Sequence, residues 1–176
     1  MKIHFVCTGN LCRSPMAEAL LRHALQERGC TDIEVSSSGT WAYYGRPATQ
    51  EAIDAVAARG GILTEHLSRP VDHHEIDEAD LVIAMTSVHV RELLNLVPQV
   101  ADKLVMMKEI KEIVPEAFPA EATREQKLNS LLKGKRPRRR RALDVDDPMG
   151  MPFGAYERAV GELQDGIDTL VKLLCD

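Results

Sequence analysis

The segment Cys7-Thr8-Gly9-Asn10-Leu11-Cys12-Arg13-Ser14 sets a thiol and a guanidinium six positions apart, between an apolar run and an amphipathic helical pattern. Gly9 and Asn10 tolerate positive φ, and Pro15 suits a first helical position with Ser14 as the cap. A chain curled in this way aims the backbone N–H groups around Thr8 to Cys12 into a concave nest at the positive end of a helix, a seat for phosphate or another tetrahedral oxyanion. Amides, helix terminus and Arg13 together favour a thiolate at the base of the nest, which makes Cys7 a nucleophile. Arg13 can return its planar fork to the same cavity and hold two phosphoryl oxygens. Cys12 either packs beneath the loop or forms a reversible disulfide that shields Cys7 from overoxidation.

Periodicity shows the elements that must position this loop. Apolar runs at 3–6 (IHFV), 33–36 (IEVS), 81–85 (LVIAM) and 104–107 (LVMM) have the make-up of strands buried on both faces. Helical patterns alternate with them at about 15–27, 49–59, 87–95 and 155–174. The second can end on the pair Gly60 and Gly61, and the last carries Tyr156, Val160, Leu163, Ile167, Leu170 and Leu174 at spacings of three and four. The alternation predicts an α/β fold: a single domain over 1–176 with a central four-stranded parallel sheet, helices on both faces, and the Cys7 loop in the crevice beyond the first strand. The stretch from about 115 to 141, with its prolines, a helical piece at TREQKLNSLL and then arginines, reads as a surface excursion.

The chain has 176 residues, enough for one core without disulfides or metals. No apolar run approaches the roughly 18 residues of a membrane span and no signal-peptide order opens the chain, so a cytoplasmic protein with no membrane partner is expected. Cys30 and Cys175 read as small buried hydrophobes, and the four cysteines match neither a secreted disulfide framework nor a zinc pattern, which points to a reducing compartment and no metal. The net charge of -5 speaks against general nucleic-acid binding. One basic block, KGKRPRRRR at 133–141, reads as a solvated loop or as a cationic arm that concentrates acidic substrates.

The nucleophile loop VCTGNLCRSPMAEA resembles the opening motif of the low-molecular-weight protein tyrosine phosphatases. SSGT at 37–40, EHLSR at 65–69, ADLVIAM at 79–85 and DVDDP at 144–148 resemble later motifs of the same family. The resemblance implies an enzyme that uses no cofactor and cleaves phosphotyrosine in proteins or peptides through a phosphocysteine intermediate. It implies Cys7 as nucleophile, Arg13 as phosphate clamp, and Asp147, directly before Pro148, as general acid in preference to Asp146. Ser14 and Ser37 become supporting hydrogen-bond donors, Asn10 the residue that holds a left-handed turn, and His66 a packing neighbour of the framework. His73 and His74 read as surface or structural side chains.

Two features depart from the family pattern. Pro148-Met149-Gly150 stands where the family carries aromatic residues, which weakens one substrate wall around Met149, while Tyr43, with Trp41 and Tyr44, can supply the other. The small segment after Asp-Pro resembles a protein arginine phosphatase branch. Leu11, where that branch carries threonine, favours phosphotyrosine. Arsenate reduction would need a further relay of cysteines, and a non-catalytic phosphopeptide-binding module would have no use for Cys7, Arg13 and Asp147 together.

Overall fold

The computed structural model describes residues 1–115, 117–133 and 140–175. Four strands, β1 (Lys2–Cys7), β2 (Glu34–Gly39), β3 (Leu81–Ala84) and β4 (Leu104–Met106), form one parallel sheet in the order β2-β1-β3-β4. The helices are α1 (Arg13–Glu27), α2 (Gln50–Ala57), α3 (His73–Glu78), α4 (Ser87–Leu96), α5 (Ile110–Ile113), α6 (Arg124–Leu132) and α7 (Phe153–Cys175).

Strand alternation divides the core between two faces. Ile3, Phe5 and Ile83 point to one side, where they pack with Met16 and Leu20 of α1, Ala52 of α2 and Tyr156, Leu163 and Ile167 of α7. Val6, Val82 and Ala84 point to the other, against Ile76 of α3 and Val90 and Leu93 of α4. Each large apolar side chain fully buried in this way contributes roughly 1.5–3 kcal/mol. The periodic stripe of α7 is the largest single part of the first face, and Gly166 lets it approach closely: a Cβ there would sit 2.6 Å from Met107 Cε.

Because β2 and β3 flank β1 on opposite sides, the chain order reverses at β1, and the crevice at the carboxyl ends of β1 and β3 receives the loops that follow both. The Cys7 loop and the start of α4 therefore face one another.

Several sequence readings are corrected. Cys30 and Cys175 are both half-buried, not core hydrophobes, and their sulfurs are bonded across 145 residues, which ties the end of α1 to the last turn of α7. Spacing could not show that pair, because it exists only where these two long helices lie side by side. The first helix starts at Arg13, so Ser14 lies inside it and is not its cap. The fourth strand is shorter than its apolar run, with Met107 already in a 3-10 turn. Of the basic block, 134–139 lies outside the described residues; Arg140 pairs with Glu112 at 3.7 Å. Among the described residues, no helix is long and apolar enough to cross a membrane.

Candidate active site

β1 ends on Cys7, and the chain turns into α1 through a left-handed residue, Asn10, with φ of 55°. Such a conformation is uncommon outside glycine, and Asn is among the side chains that tolerate it. The fully buried Asn10 side chain then fixes the turn. Its Nδ2 donates to Ser14 Oγ (3.0 Å) and Ser37 Oγ (2.8 Å), and its Oδ1 accepts from Arg69 N (3.0 Å). Asn10 O lies 2.8 Å from His66 Nε2. Ser37 passes the network on by donating to Glu18 Oε2 at 2.6 Å, and Glu18 is held by Arg22 one helical turn later.

Ser14 fails as a cap because its hydroxyl is committed elsewhere. Its Oγ lies 2.9 Å from Cys7 Sγ and 3.2 Å from Ser38 O. The fully buried Ser14 thus stands beside the buried Cys7 sulfur, within hydrogen-bond reach of it. On the other side of the loop Gly39 permits close approach: a Cβ there would lie 2.3 Å from Thr8 O. That carbonyl accepts from Trp41 N, and Cys7 O accepts from Thr40 N, so the aromatic loop is laced to the nucleophile loop.

Arg13 brings in the acidic loop. Its Nη2 donates to Asp147 Oδ2 at 2.8 Å and its Nη1 to Val145 O at 3.3 Å, while Nε is buried with no hydrogen-bond partner among the described residues. The Arg13 side chain is 7% exposed against 54% for Asp147, so the pair runs from the interior to the mouth of the site. The neighbouring acids are occupied differently. Asp144 accepts from Ser87 N at the start of α4, and Asp146 turns its backbone N–H to Glu162. Only Asp147 of the three meets Arg13.

The remaining sequence candidates surround this centre. Thr8 is exposed, Gly9 and Leu11 are half-buried, and Cys12 is buried with Sγ 3.5 Å from Thr49 Oγ1 and 3.8 Å from Tyr156 OH. Burial pushes the Cys12 thiol up from its ordinary range, and likewise the Tyr156 phenol. Trp41, Tyr43, Tyr44 and Met149 are all exposed, so the aromatic trio does not pack in the core; Arg46 lies over the Tyr43 ring at 5.0 Å.

His89 is the residue that sequence reasoning missed. Its Nε2 lies 2.8 Å from Thr8 Oγ1 and its Nδ1 2.9 Å from Thr86 Oγ1. Burial, and then the charge of Arg13, lower its pKa to about 3, so it stays neutral. Thr86 Oγ1 also caps α4 by accepting from His89 N. Three positions on, Glu92 accepts from the Trp41 indole at 2.9 Å, so one face of α4 braces both loops. The usable signal was topological: TSVH follows the third strand, at the same crevice as Cys7.

Fold and site together define an α/β protein whose first loop offers a thiol and an arginine to an oxyanion. Residues 2–117 match the model of the low molecular weight phosphotyrosine protein phosphatases. The chain belongs to this family of cysteine-dependent phosphatases. It is 33% identical over 173 residues to a protein-arginine-phosphatase of Geobacillus stearothermophilus, covering 98% of this chain and 95% of the relative. The low molecular weight protein tyrosine phosphatase of T. tengcongensis superposes with a TM-score of 0.75 at 33% identity, covering 99% of each chain. A C7S mutant of the YwlE arginine phosphatase with a phosphorylated active-site serine does so with a TM-score of 0.75 at 30% identity, covering 98% of this chain and 94% of that one.

Proposed function

We propose that this protein hydrolyses phosphotyrosine in proteins through a phosphocysteine intermediate on Cys7. The observation that carries the reading is the convergence on one loop of Cys7, its neighbour Ser14 at 2.9 Å, and the Arg13–Asp147 pair at 2.8 Å.

The chemistry follows from the roles open to each group. The Cys7 thiolate attacks phosphorus while the amides around Thr8 to Cys12 and the Arg13 fork hold the equatorial oxygens. Without substrate Arg13 is engaged by Asp147; when Arg13 turns to the phosphoryl oxygens, the carboxyl is released to face the leaving oxygen. Asp147 gives that oxygen a proton as the phosphorus–oxygen bond breaks. It then takes a proton from water, which attacks the phosphocysteine, frees phosphate and restores the thiolate. Ser14 stabilises the thiolate at both ends of the cycle, and His89 holds Thr8 in place. Cys12 serves as the resolving thiol when Cys7 is oxidised.

Leu11 in the nucleophile loop and the exposed Tyr43, two positions after the Trp41 that is laced to that loop, support a flat aryl substrate. Phosphoarginine is the second reading, favoured by the relatives that bear that activity in their names and by the small Pro148-Met149-Gly150 segment. Comparing kcat/KM for matched phosphotyrosine, phosphoserine and phosphoarginine peptides decides between them. Preference for phosphotyrosine, moving toward phosphoarginine in Leu11→Thr, is expected; a parent enzyme that prefers phosphoarginine would transfer the proposal to the second reading.

A further inference from the structure

Far from the catalytic loop, the ends of two helices meet at a second pair of sulfurs. Cys30 follows α1 and Cys175 closes the last turn of α7, and their sulfurs are bonded across 145 residues with the Cα atoms 6.2 Å apart. Both are half-buried, whereas Cys7 and Cys12 are buried, so of the four cysteines this pair is the one that a dissolved thiol or disulfide reaches first. Each backbone is held by bonds that do not involve sulfur. Gly29, with φ of 71°, turns the chain out of α1: its N–H donates to Gln26 O and the Cys30 N–H to Leu25 O, the paired bonds that close a helix on a left-handed residue. Arg124, at the start of α6, spans the joint. Its Nε donates to Leu174 O and its Nη1 to Asp32 Oδ2, both at 2.6 Å, one residue before Cys175 and two residues after Cys30.

With the sulfurs reduced, this clasp keeps the two thiols near each other, so that closing the bond is an intramolecular step between groups already in place. The bond also lies where it matters for the fold. α1 starts at Arg13 and α7 follows the Asp147 loop, and the two pack through Met16, Leu20, Tyr156, Leu163 and Ile167. The sulfurs close that pair at its far end, about 22 Å along α1 from Arg13. A cross-link over so long a loop removes much of the freedom of the unfolded chain. We propose that Cys30 and Cys175 form a reversible redox staple, closed by a small disulfide such as glutathione disulfide and opened by glutathione, which sets the stability of the α1–α7 pair without entering the active-site chemistry. In closing, one cysteine thiolate displaces a glutathione thiolate to give a mixed disulfide, and the second cysteine displaces the other glutathione. The protein gives up two electrons and two protons, and one glutathione disulfide becomes two glutathione thiols. The proposal is independent of the reading of the active site.

The test takes the full chain carrying Cys7→Ser and Cys12→Ser, in which only the outer pair can respond, through buffers of reduced and oxidised glutathione. Oxidising buffers should yield one linked peptide pair containing Cys30 and Cys175, read by mass spectrometry, and raise Tm by roughly 5–15 °C. Excess reduced glutathione should restore both free thiols and the lower Tm. Adding Cys175→Ser should abolish the shift, and Cys175→Ser alone, assayed with Cys7 reduced, should keep the kcat of the reduced parent. Arg124→Gln should need about tenfold more glutathione disulfide for half-closure. A stable glutathione adduct in place of the linked pair, an unchanged Tm on closure, a bond that excess glutathione leaves intact, a lost kcat in Cys175→Ser, or the same midpoint in Arg124→Gln would each overturn the proposal. If the double variant does not fold, peptide mapping and Tm of the parent against Cys175→Ser in the same buffers decide it, because the Cys7 and Cys12 thiols are common to both.

Discussion

Lowering the pH from 7 to 5 should cost this fold about 4 kcal/mol through two histidines alone. His4 is 1% exposed, with its ring nitrogens 2.8 Å from Ser36 Oγ and 2.7 Å from Ser38 Oγ, and His89 is 2% exposed between Thr8 and Thr86. Burial first, then the charge of Arg69 for His4 and of Arg13 for His89, lower both from 6.5 to about 3. As pH falls below 6.5 the unfolded chain protonates both rings, while the folded protein leaves them neutral until about 3. The unfolded state therefore binds more protons throughout that window, so stability is full above 6.5 and declines below it. Each ring accounts for about 2 kcal/mol between pH 7 and 5. Urea unfolding of the parent, His4→Gln and His89→Gln proteins at pH 7, 6 and 5 and constant ionic strength isolates the effect, because carboxylate contributions cancel between parent and variant. Each variant should recover about half of the histidine contribution to the pH-dependent loss, whatever its stability at pH 7. Identical losses in parent and variants would mean that the rings protonate inside the fold, and the neutral His89–Thr8 contact would be refuted.

Ser14→Ala removes the hydroxyl beside Cys7 Sγ, a charge-assisted bond worth about 1.5–3 kcal/mol, so kcat should fall roughly 10- to 100-fold with little change in KM; an unchanged kcat would show that the thiolate does not depend on Ser14. Asp147→Asn should lower kcat by roughly 10²–10⁴-fold on phenyl phosphate and far less on an ester with a good leaving group. Equal losses on the two esters would remove Asp147 as the acid. Under mild peroxide Cys7 and Cys12 should form a disulfide that thiol reverses, read by mass spectrometry. Direct conversion of Cys7 to sulfinic acid with Cys12 untouched would contradict the resolving role.

What the sequence revealed was largely what local physics determines. The alternation of short apolar runs with helical stripes was enough to yield a parallel sheet with helices on both faces, because burial on two sides leaves few polar positions in the strands. The left-handed turn at Asn10 was likewise a local consequence of a tight strand-to-helix loop. Contacts across long separations were not legible. His89 reaches Thr8 over 81 positions, and Cys30 meets Cys175 over 145. Ser14 looked like a cap because a serine before a proline usually is one, and nothing in its neighbours announced that Cys7 and Ser38 would claim the hydroxyl. The short α3 was missed for a different reason: six residues with one buried apolar side chain, Ile76, carry too little periodicity to register.

The central claim is that phosphate passes through Cys7, and trapping the intermediate tests it most directly. Rapid acid quench of Asp147→Asn turning over an activated aryl phosphate, followed by peptide mass spectrometry, should find one phosphoryl group on the peptide that contains Cys7, absent from Cys7→Ser treated in the same way on that time scale. Turnover without any phosphorylated Cys7, or a phosphoryl group carried on another residue, would contradict the account.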